Sequence, residues 1–185
     1  YFASMSLPVL ARPVMHALAH ELQETCSLGV LDQDAVVLLA REEPPQLLRV
    51  DLGVGRRLPA FAHSMGRVLL AALDDAAQAA YLRDATLTML TPATTTDPGA
   101  LAGILQRVRK EGHCVLDSEM VDGFGGISVP LRDGQSKVVA ALGLSVVNGV
   151  AVLSVPEMPE PAFMLHVFWG SLLAGLVLWG PGRWS

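Results

Sequence analysis

The chain has 185 residues, 51% of which are hydrophobic, and a formal net charge of −5 at pH 7. This length and apolar content suit a single domain with one hydrophobic core, spanning residues 1–185. A chain this acidic, without a cluster of Lys and Arg, is a poor binder of nucleic acid by itself.

The chain contains two cysteines, Cys26 and Cys114, which lie far apart in the sequence. No Cys/His spacing typical of a metal site is present, so we expect neither a structural metal nor a cofactor. Reduced thiols in a cytoplasmic protein fit this pattern better than a disulfide framework. The chain begins with Tyr1, and no charged segment precedes an apolar run, so we expect no signal peptide; a fragment without its N-terminal part fits the same pattern.

The first part of the chain predicts one helix followed by three strands. Residues 6–24 carry apolar side chains at helical spacing. Three apolar runs follow, CSLGVLD, AVVLLAREE and QLLRVDLGVG, separated by turn-forming residues. We interpret them as an antiparallel meander.

The stretch RLPAFAHSMGRVLLA, at residues 57–71, begins like the end of a strand and continues as a helix from about Ser64. Two further helices are predicted, one over 74–82 capped by Asp74 and one over 98–112 capped by Asp97. The runs HCVLDSE, FGGISVPLRD and KVVAALGLSVV predict three more strands, with a turn at 133–136 between the last two. This order predicts an α+β domain with one largely antiparallel sheet.

The last two predicted strands each have one apolar face and one face of small residues, because successive strand residues point to opposite sides. The apolar faces carry Val138, Ala140, Leu142, Leu144 and Val146 in one strand, and Ile127, Val129 and Leu131 in the other. The small faces include Ala141, Gly143 and Ser145, and Phe124, Gly126, Ser128 and Pro130. We expect the apolar face of the strand over 138–147 to pack against helices.

Glycines cluster in these strands, at 123, 125, 126 and 143. Glycine inside a strand often marks a bulge or a close approach to the backbone. One interpretation is a bulge or a closely packed helix. The other is the floor of a small-molecule pocket, with Ser128 and Ser145 supplying hydroxyl groups.

The helix start at Ser64 is the second candidate site. Ser64 is a good N-cap residue, and the N–H groups of Met65, Gly66 and Arg67 would then point outward. Such a helix end binds anions, and Gly66 would keep its first turn uncrowded. A simple capped helix without a ligand is the alternative.

These segments resemble the effector-binding domain of IclR-family transcriptional regulators, from about Tyr1 to Ser154. The resemblance rests on ETCSLGVLD, VGRRLPAFAHSMGRVLLAAL, the stretch LTPATTTDPGALAGILQRVRKEGHCVLDSEMVDGFGGISVPLRD, and VVAALGLSV. The SMGRVLLA form is similar to the branch that governs protocatechuate, hydroxybenzoate and β-ketoadipate catabolism.

The resemblance implies a GAF-like fold, a curved, largely antiparallel six-stranded sheet flanked by helices, in homodimers or homotetramers. The family's N-terminal winged helix-turn-helix is absent from this chain, so DNA binding belongs only to a longer parent protein. The effector pocket that the family implies falls on Ser64, Met65, Gly66, Asp117, Phe124, Gly126, Gly143 and Ser145. The expected function is to sense a small organic acid, with an aromatic acid as one option.

Two regions depart from the family. Gly125 and Gly126 stand where Arg and then Ser or Cys are usual, which implies either a roomier pocket or an unresponsive regulator. Residues 155–185 form an atypical apolar C-terminal segment, predicted as a helix over 162–180. A buried core or interface helix is favoured there, and a membrane anchor and a reading-frame change stay open.

Two other classes of function stay open. An enzyme would need a nucleophile with a base, such as Ser64 beside His63 or Cys114 beside His113, or an acid/base pair such as Asp117 and Glu119 on one strand face. We can assemble no complete set, so we expect no catalytic residues. A ligand-free dimerisation module is the other class, and the glycine-rich strands argue against it.

Overall fold

The computed structural model describes residues 6–44 and 53–147. Four α-helices are present in these ranges: α1 (Leu7–Leu22), α2 (Ser64–Ala71), α3 (Asp75–Asp84) and α4 (Pro98–Glu111). The six strands are β1 (Thr25–Asp32), β2 (Ala35–Glu42), β3 (Arg57–Pro59), β4 (Cys114–Asp117), β5 (Phe124–Arg132) and β6 (Val138–Val147). They form one antiparallel sheet in the order β3-β2-β1-β6-β5-β4, which confirms the predicted α+β class.

The helix boundaries follow from local capping. Asp74 accepts a hydrogen bond from the Ala77 N–H at the start of α3, and Asp97 does the same for Ala100 at the start of α4. Gly112 ends α4 with a left-handed φ of 74°, where glycine has no steric penalty. These caps confirm the predicted limits of α3 and α4 to within two residues.

The third predicted strand, over residues 46–55, lies mostly outside the described residues. The prediction of a strand is wrong for its last three residues. Residues 53–55 form a turn, with Gly55 at a φ of 85°. The chain then enters the sheet as β3, directly before a 3₁₀ turn at Ala60–Ala62 and α2.

Helices pack on both faces of the sheet, which we call the α1 face and the α2 face. On the α1 face, α1 buries Met15 and Ala19 against residues of β1, β2 and β6, namely Cys26, Leu28, Ala40 and Ala140. On the α2 face, residues of α2 and α4 pack over Val36, Leu38 and Ala141. Burial of this apolar surface is the main stabilising contribution to both layers.

The predicted alternation of β6 is confirmed for Leu142 and Leu144, which pack against the α1 cluster. Val138 is an exception and packs on the α2 face, because a register shift at Leu131 and Arg132 interrupts the pairing of β5 with β6. In β5, Leu131 packs against the same cluster. Ile127 and Val129 are 37% and 41% exposed, because α1 packs over β1 and β2.

The predicted apolar helix at 162–180 lies outside the described residues. Within 6–44 and 53–147, no helix is both long enough and apolar enough to cross a membrane.

Candidate functional site

The start of α2 is capped by His63, so the prediction of Ser64 as the N-cap is wrong. The Met65 N–H donates to His63 Nδ1 across 3.2 Å. Burial lowers the pKa of the His63 imidazole to about 4, so the ring is neutral at pH 7 and Nδ1 can accept a hydrogen bond. Ser64 is the first helical residue, and its hydroxyl is 2.8 Å from the Ser128 hydroxyl of β5.

With His63 as the cap, fewer N–H groups at the helix start are free to bind the expected anion. The Met65 N–H already has a partner in His63. Gly66 faces the 3₁₀ turn, where an added Cβ would lie 2.1 Å from the Ala60 carbonyl oxygen. Gly66 therefore permits close packing of α2 on that turn, and it lies away from the strands that carry the other predicted site residues.

Gly126 of β5 and Gly143 of β6 lie directly under α2. A Cβ added at Gly126 would be 3.0 Å from Ser64 Oγ, and one at Gly143 would be 2.9 Å from Met65 Cγ. The structure thus brings Ser64, Met65, Gly126 and Gly143 together. It also shows the close-packed helix of the first interpretation, because these side chains fill the space above the glycines.

Two further predicted site residues, Ser145 and Phe124, lie around this contact, and a third, Asp117, does not. Ser145 pairs with Gly126 on one side and with Thr25 on the other, and it is partly buried. Phe124 shares the α2 face with Gly126, two residues along β5. Asp117 pairs with Gly125 and is exposed on the opposite face, so the structure does not bring it to Ser64.

Two hydroxyl residues of β1 complete a group that the sequence analysis missed. Thr25 and Ser27 are 5% and 3% exposed, and Ser27 pairs with Gly143. We call the five hydroxyl residues around the two glycines the hydroxyl cluster: Thr25, Ser27, Ser64, Ser128 and Ser145. The alternation of small and apolar residues in TCSLG, read as it was for β6, would have placed Thr25 and Ser27 on this face.

A buried ion pair lies one turn further along α2. Arg67 is 3% exposed and binds both carboxylate oxygens of Glu119, at 2.7 and 2.5 Å. The predicted placement of Asp117 and Glu119 on one strand face is wrong. The strand ends at Asp117, and Ser118 adopts a left-handed φ of 57° that turns Glu119 toward Arg67.

The candidate nucleophiles have structural contacts instead of catalytic ones. Ser64 bonds to Ser128, and His63 Nδ1 is occupied by the cap. Cys114 is 3% exposed, and burial raises the pKa of its thiol to about 11. In the part of the chain that the structure describes, no three His, Cys, Asp or Glu side chains converge as metal ligands.

A small cavity of about 30 Å³ lies at the other end of α2, between Ala72, Arg109 and Pro130. This volume has room for about one water molecule. It is too small for an organic acid and lies away from the hydroxyl cluster.

An antiparallel sheet with α1 on one face and the start of α2 on the other, over a polar, glycine-lined floor, defines a GAF-like α+β domain. The comparisons with known proteins agree with this class. The family model for the bacterial transcriptional regulator IclR C-terminal domain matches residues 1–155. The chain belongs to this IclR C-terminal family.

Among its relatives, the Pca regulon regulatory protein of Pseudomonas putida is 40% identical over 146 residues, which cover 78% of this chain and 50% of that protein. The chain thus spans about half the length of this relative. A crystal structure described as a transcriptional regulator from Rhodococcus sp. RHA1 is 38% identical with a TM-score of 0.77, over 80% of this chain and 59% of that one.

The inducer-binding domain of the PobR transcription factor from Acinetobacter, solved as a double mutant with 3-hydroxybenzoic acid, is also similar. It is 34% identical with a TM-score of 0.71, over 77% of this chain and 84% of that chain.

Proposed function

We propose that this domain senses a small aromatic carboxylic acid of the hydroxybenzoate type and thereby controls DNA binding by a longer regulator. The observation that carries this proposal is the hydroxyl cluster under the start of α2, with Ser64 Oγ 2.8 Å from Ser128 Oγ. The family membership and the PobR domain with its bound 3-hydroxybenzoic acid support it.

The paired hydroxyls of Ser64 and Ser128 are suited to a carboxylate. Each hydroxyl has one rotatable proton, and only one of the two protons is used in their mutual bond. An arriving carboxylate can therefore accept a hydrogen bond from one or both. Phe124 and Met65 would contact the aromatic ring, and Ser145 would bond to its polar substituents.

The proposed site retains six of the eight predicted residues. Ser64, Met65, Phe124, Gly126, Gly143 and Ser145 share the α2 face or the helix above it. Gly66 and Asp117 lie away from this group.

The remaining parts of the proposal concern the longer protein. We place it in the cytoplasm as a homodimer or homotetramer, with DNA contacted by a separate N-terminal domain and no catalytic activity. Exposed apolar side chains support the assembly. Val115 and Val129, on the part of the α1 face that α1 leaves uncovered, are 61% and 41% exposed, and Val14 on α1 is 58% exposed.

Thermal unfolding with a panel of acids tests the sensor. The panel contains 4-hydroxybenzoate, protocatechuate, β-ketoadipate, pyruvate and glyoxylate. A ligand at 100 times its dissociation constant adds about 2.7 kcal/mol to the unfolding free energy. We expect a selective shift with the aromatic acids, lost in Ser64→Leu and retained in Thr88→Ala, which removes an exposed hydroxyl.

The close packing of Met65 over Gly143 favours one alternative, a ligand-free oligomerisation module. Its signature would be the absence of a shift with every acid in a well-folded sample. An equal shift in wild type and Ser64→Leu would contradict the proposed position of the site.

A further inference from the structure

The Ser27 hydroxyl is a buried polar group that has no partner among the described residues. Its oxygen is buried and makes no hydrogen bond to any described residue, and the residue is 3% exposed. Leaving such a hydroxyl unpaired is unfavourable, and in native proteins most buried polar side chains have a partner. An unpaired hydroxyl inside a ligand-sensing domain is therefore a candidate ligand contact.

Two of the neighbours of Ser27 on the α2 face are glycines. Across the sheet, Ser27 pairs with Gly143 of β6, and Gly29 follows two residues along β1 on the same face. On the β2 side it pairs with Arg41, whose guanidinium donates to Glu43 at 2.5 Å. The surface beside Ser27 is therefore glycine backbone toward β6 and is bordered toward β2 by Arg41, whose side chain is 9% exposed.

Three side chains lie over the two glycines: a Cβ added at Gly29 would be 2.6 Å from Val36 Cγ1, and one at Gly143 would be 2.8 Å from Ser128 Oγ. Met65 contacts both positions and is the flexible one of the three. Met65 Sδ would lie 3.4 Å from a Cβ at Gly29 and 3.2 Å from one at Gly143, and Met65 is 2% exposed. Methionine is unbranched, and its side chain can adopt several conformations at low cost. Its thioether also makes favourable contacts with the edges of aromatic rings. Met65 can thus exchange its contact with the glycines for a contact with a bound ring.

We infer that the Ser27 hydroxyl binds a ring hydroxyl of the effector, in the space that the Met65 side chain fills in the ligand-free domain. This inference rests on the proposed function and adds the residue that distinguishes hydroxylated aromatic acids from unsubstituted ones. The Ser27 oxygen can donate and accept, as a phenol also can. The ring would lie on Gly143, with the carboxylate toward Ser64 and Ser128.

Calorimetric titration of the 185-residue chain tests the assignment. The probes are 3-hydroxybenzoate, 4-hydroxybenzoate and benzoate, and the variants are Ser27→Ala and the control Thr88→Ala. We expect Ser27→Ala to weaken binding of at least one hydroxybenzoate about tenfold, the effect of one lost hydrogen bond. Its affinity for benzoate should stay within about twofold of wild type. Thr88→Ala should leave every affinity unchanged.

The unliganded variant separates ligand binding from a structural role. Because Ser27→Ala removes an unpaired hydroxyl, its melting temperature should equal or exceed that of wild type. A lower melting temperature with equal affinity losses for benzoate and the hydroxybenzoates would overturn the inference. Unchanged affinity for every probe would do so as well. If wild type binds none of the three acids, the proposed function itself is wrong, and the inference is wrong with it.

Displacement of Met65 has a direct spectroscopic signal. The chain contains seven methionines, and ¹³C-methyl labelling gives one resonance for each, with that of Met65 assigned by Met65→Leu. Saturating hydroxybenzoate should move the Met65 resonance more than any other, because the methyl group changes its neighbours from glycines to an aromatic ring. A Met65 resonance that stays in place while calorimetry shows binding would contradict its displacement.

Discussion

Arg67 of α2 and Glu119 of the β4–β5 connection form a bidentate ion pair that links these two segments to two others. Glu119 Oε2 also accepts a hydrogen bond from the Thr95 N–H, and Arg67 Nε donates to the Phe61 carbonyl at 2.7 Å. The start of α2, the 3₁₀ turn and the loop before α4 are thus held by one guanidinium and one carboxylate.

Arg67→Ala should destabilise the domain by about 3–5 kcal/mol, because it leaves the Glu119 carboxylate unpaired in a site that is 13% exposed. Urea denaturation, monitored by circular dichroism, measures the loss of unfolding free energy. The matched control is Arg83→Ala, which breaks the exposed Arg83–Asp84 pair and should leave the midpoint unchanged. Equal losses in the two variants would show that the buried pair has no special role.

Gly66→Ala should cost about 2–3 kcal/mol, because its Cβ would overlap the Ala60 carbonyl oxygen, and this backbone contact can relax only if α2 and the 3₁₀ turn move apart. Gly103 in α4 is the matched control, since an added Cβ there meets nothing within 4 Å. Gly103→Ala should stabilise the domain by about 0.5–1 kcal/mol through helix propensity. Thermal unfolding of both variants gives the comparison, and a tolerated Gly66→Ala would contradict the close packing.

His63 should make stability fall in mild acid. Burial lowers the pKa of its imidazole from 6.5 to about 4 in the folded domain, so the unfolded chain binds more protons between these values. Its contribution is therefore complete above pH 6.5 and is lost as the pH falls toward 4. His63→Asn keeps a side chain that can cap α2 but does not titrate there.

The difference in unfolding free energy between wild type and His63→Asn, measured from pH 7.5 to 4, isolates this effect. As the pH falls over this range, the stability of wild type relative to His63→Asn should decrease by up to about 3 kcal/mol. A difference that does not vary with pH would mean that His63 titrates normally in the folded domain.

Glu24 should have the opposite dependence. Burial raises the pKa of its carboxyl from 4.5 to about 7, so the folded domain binds the proton more tightly than the unfolded chain does. Stability from this group is complete below pH 4.5 and is lost as the pH rises through 7. Compared with Glu24→Gln, wild type should lose stability from pH 5 to 8 in denaturant titrations. A constant difference over that range would exclude the raised pKa.

Local patterns predicted the elements that depend on neighbours in the chain. Asp74 and Asp97 cap helix starts and Gly112 caps a helix end, as their residue types predict. Each cap involves only atoms within a few residues. The two faces of β6 were also predictable, since alternation is a property of the strand alone. Val138 departs from this alternation because of a register shift in the pairing with β5.

The errors concern interactions between residues far apart in the sequence. Ser64 is the better N-cap by residue type, but Ser128, 64 positions later, binds its hydroxyl and leaves the cap to His63. Likewise, Glu119 turns toward Arg67, 52 positions earlier, through the left-handed Ser118. Ser27 was missed because its significance depends on Gly143 and Met65, which the sheet and helix bring to it.

The short connection between α1 and β1 couples the orientation of the helix to the position of the site. Only Gln23, in a left-handed conformation, and Glu24 separate the two elements, and β1 carries Thr25 and Ser27 beside β6. A helix of 16 residues is about 24 Å long. A tilt of about 10° at its β1 end would therefore swing the opposite end by roughly 4 Å. A shift of β1 at the hydroxyl cluster would thus be carried along α1 to its N-terminal end.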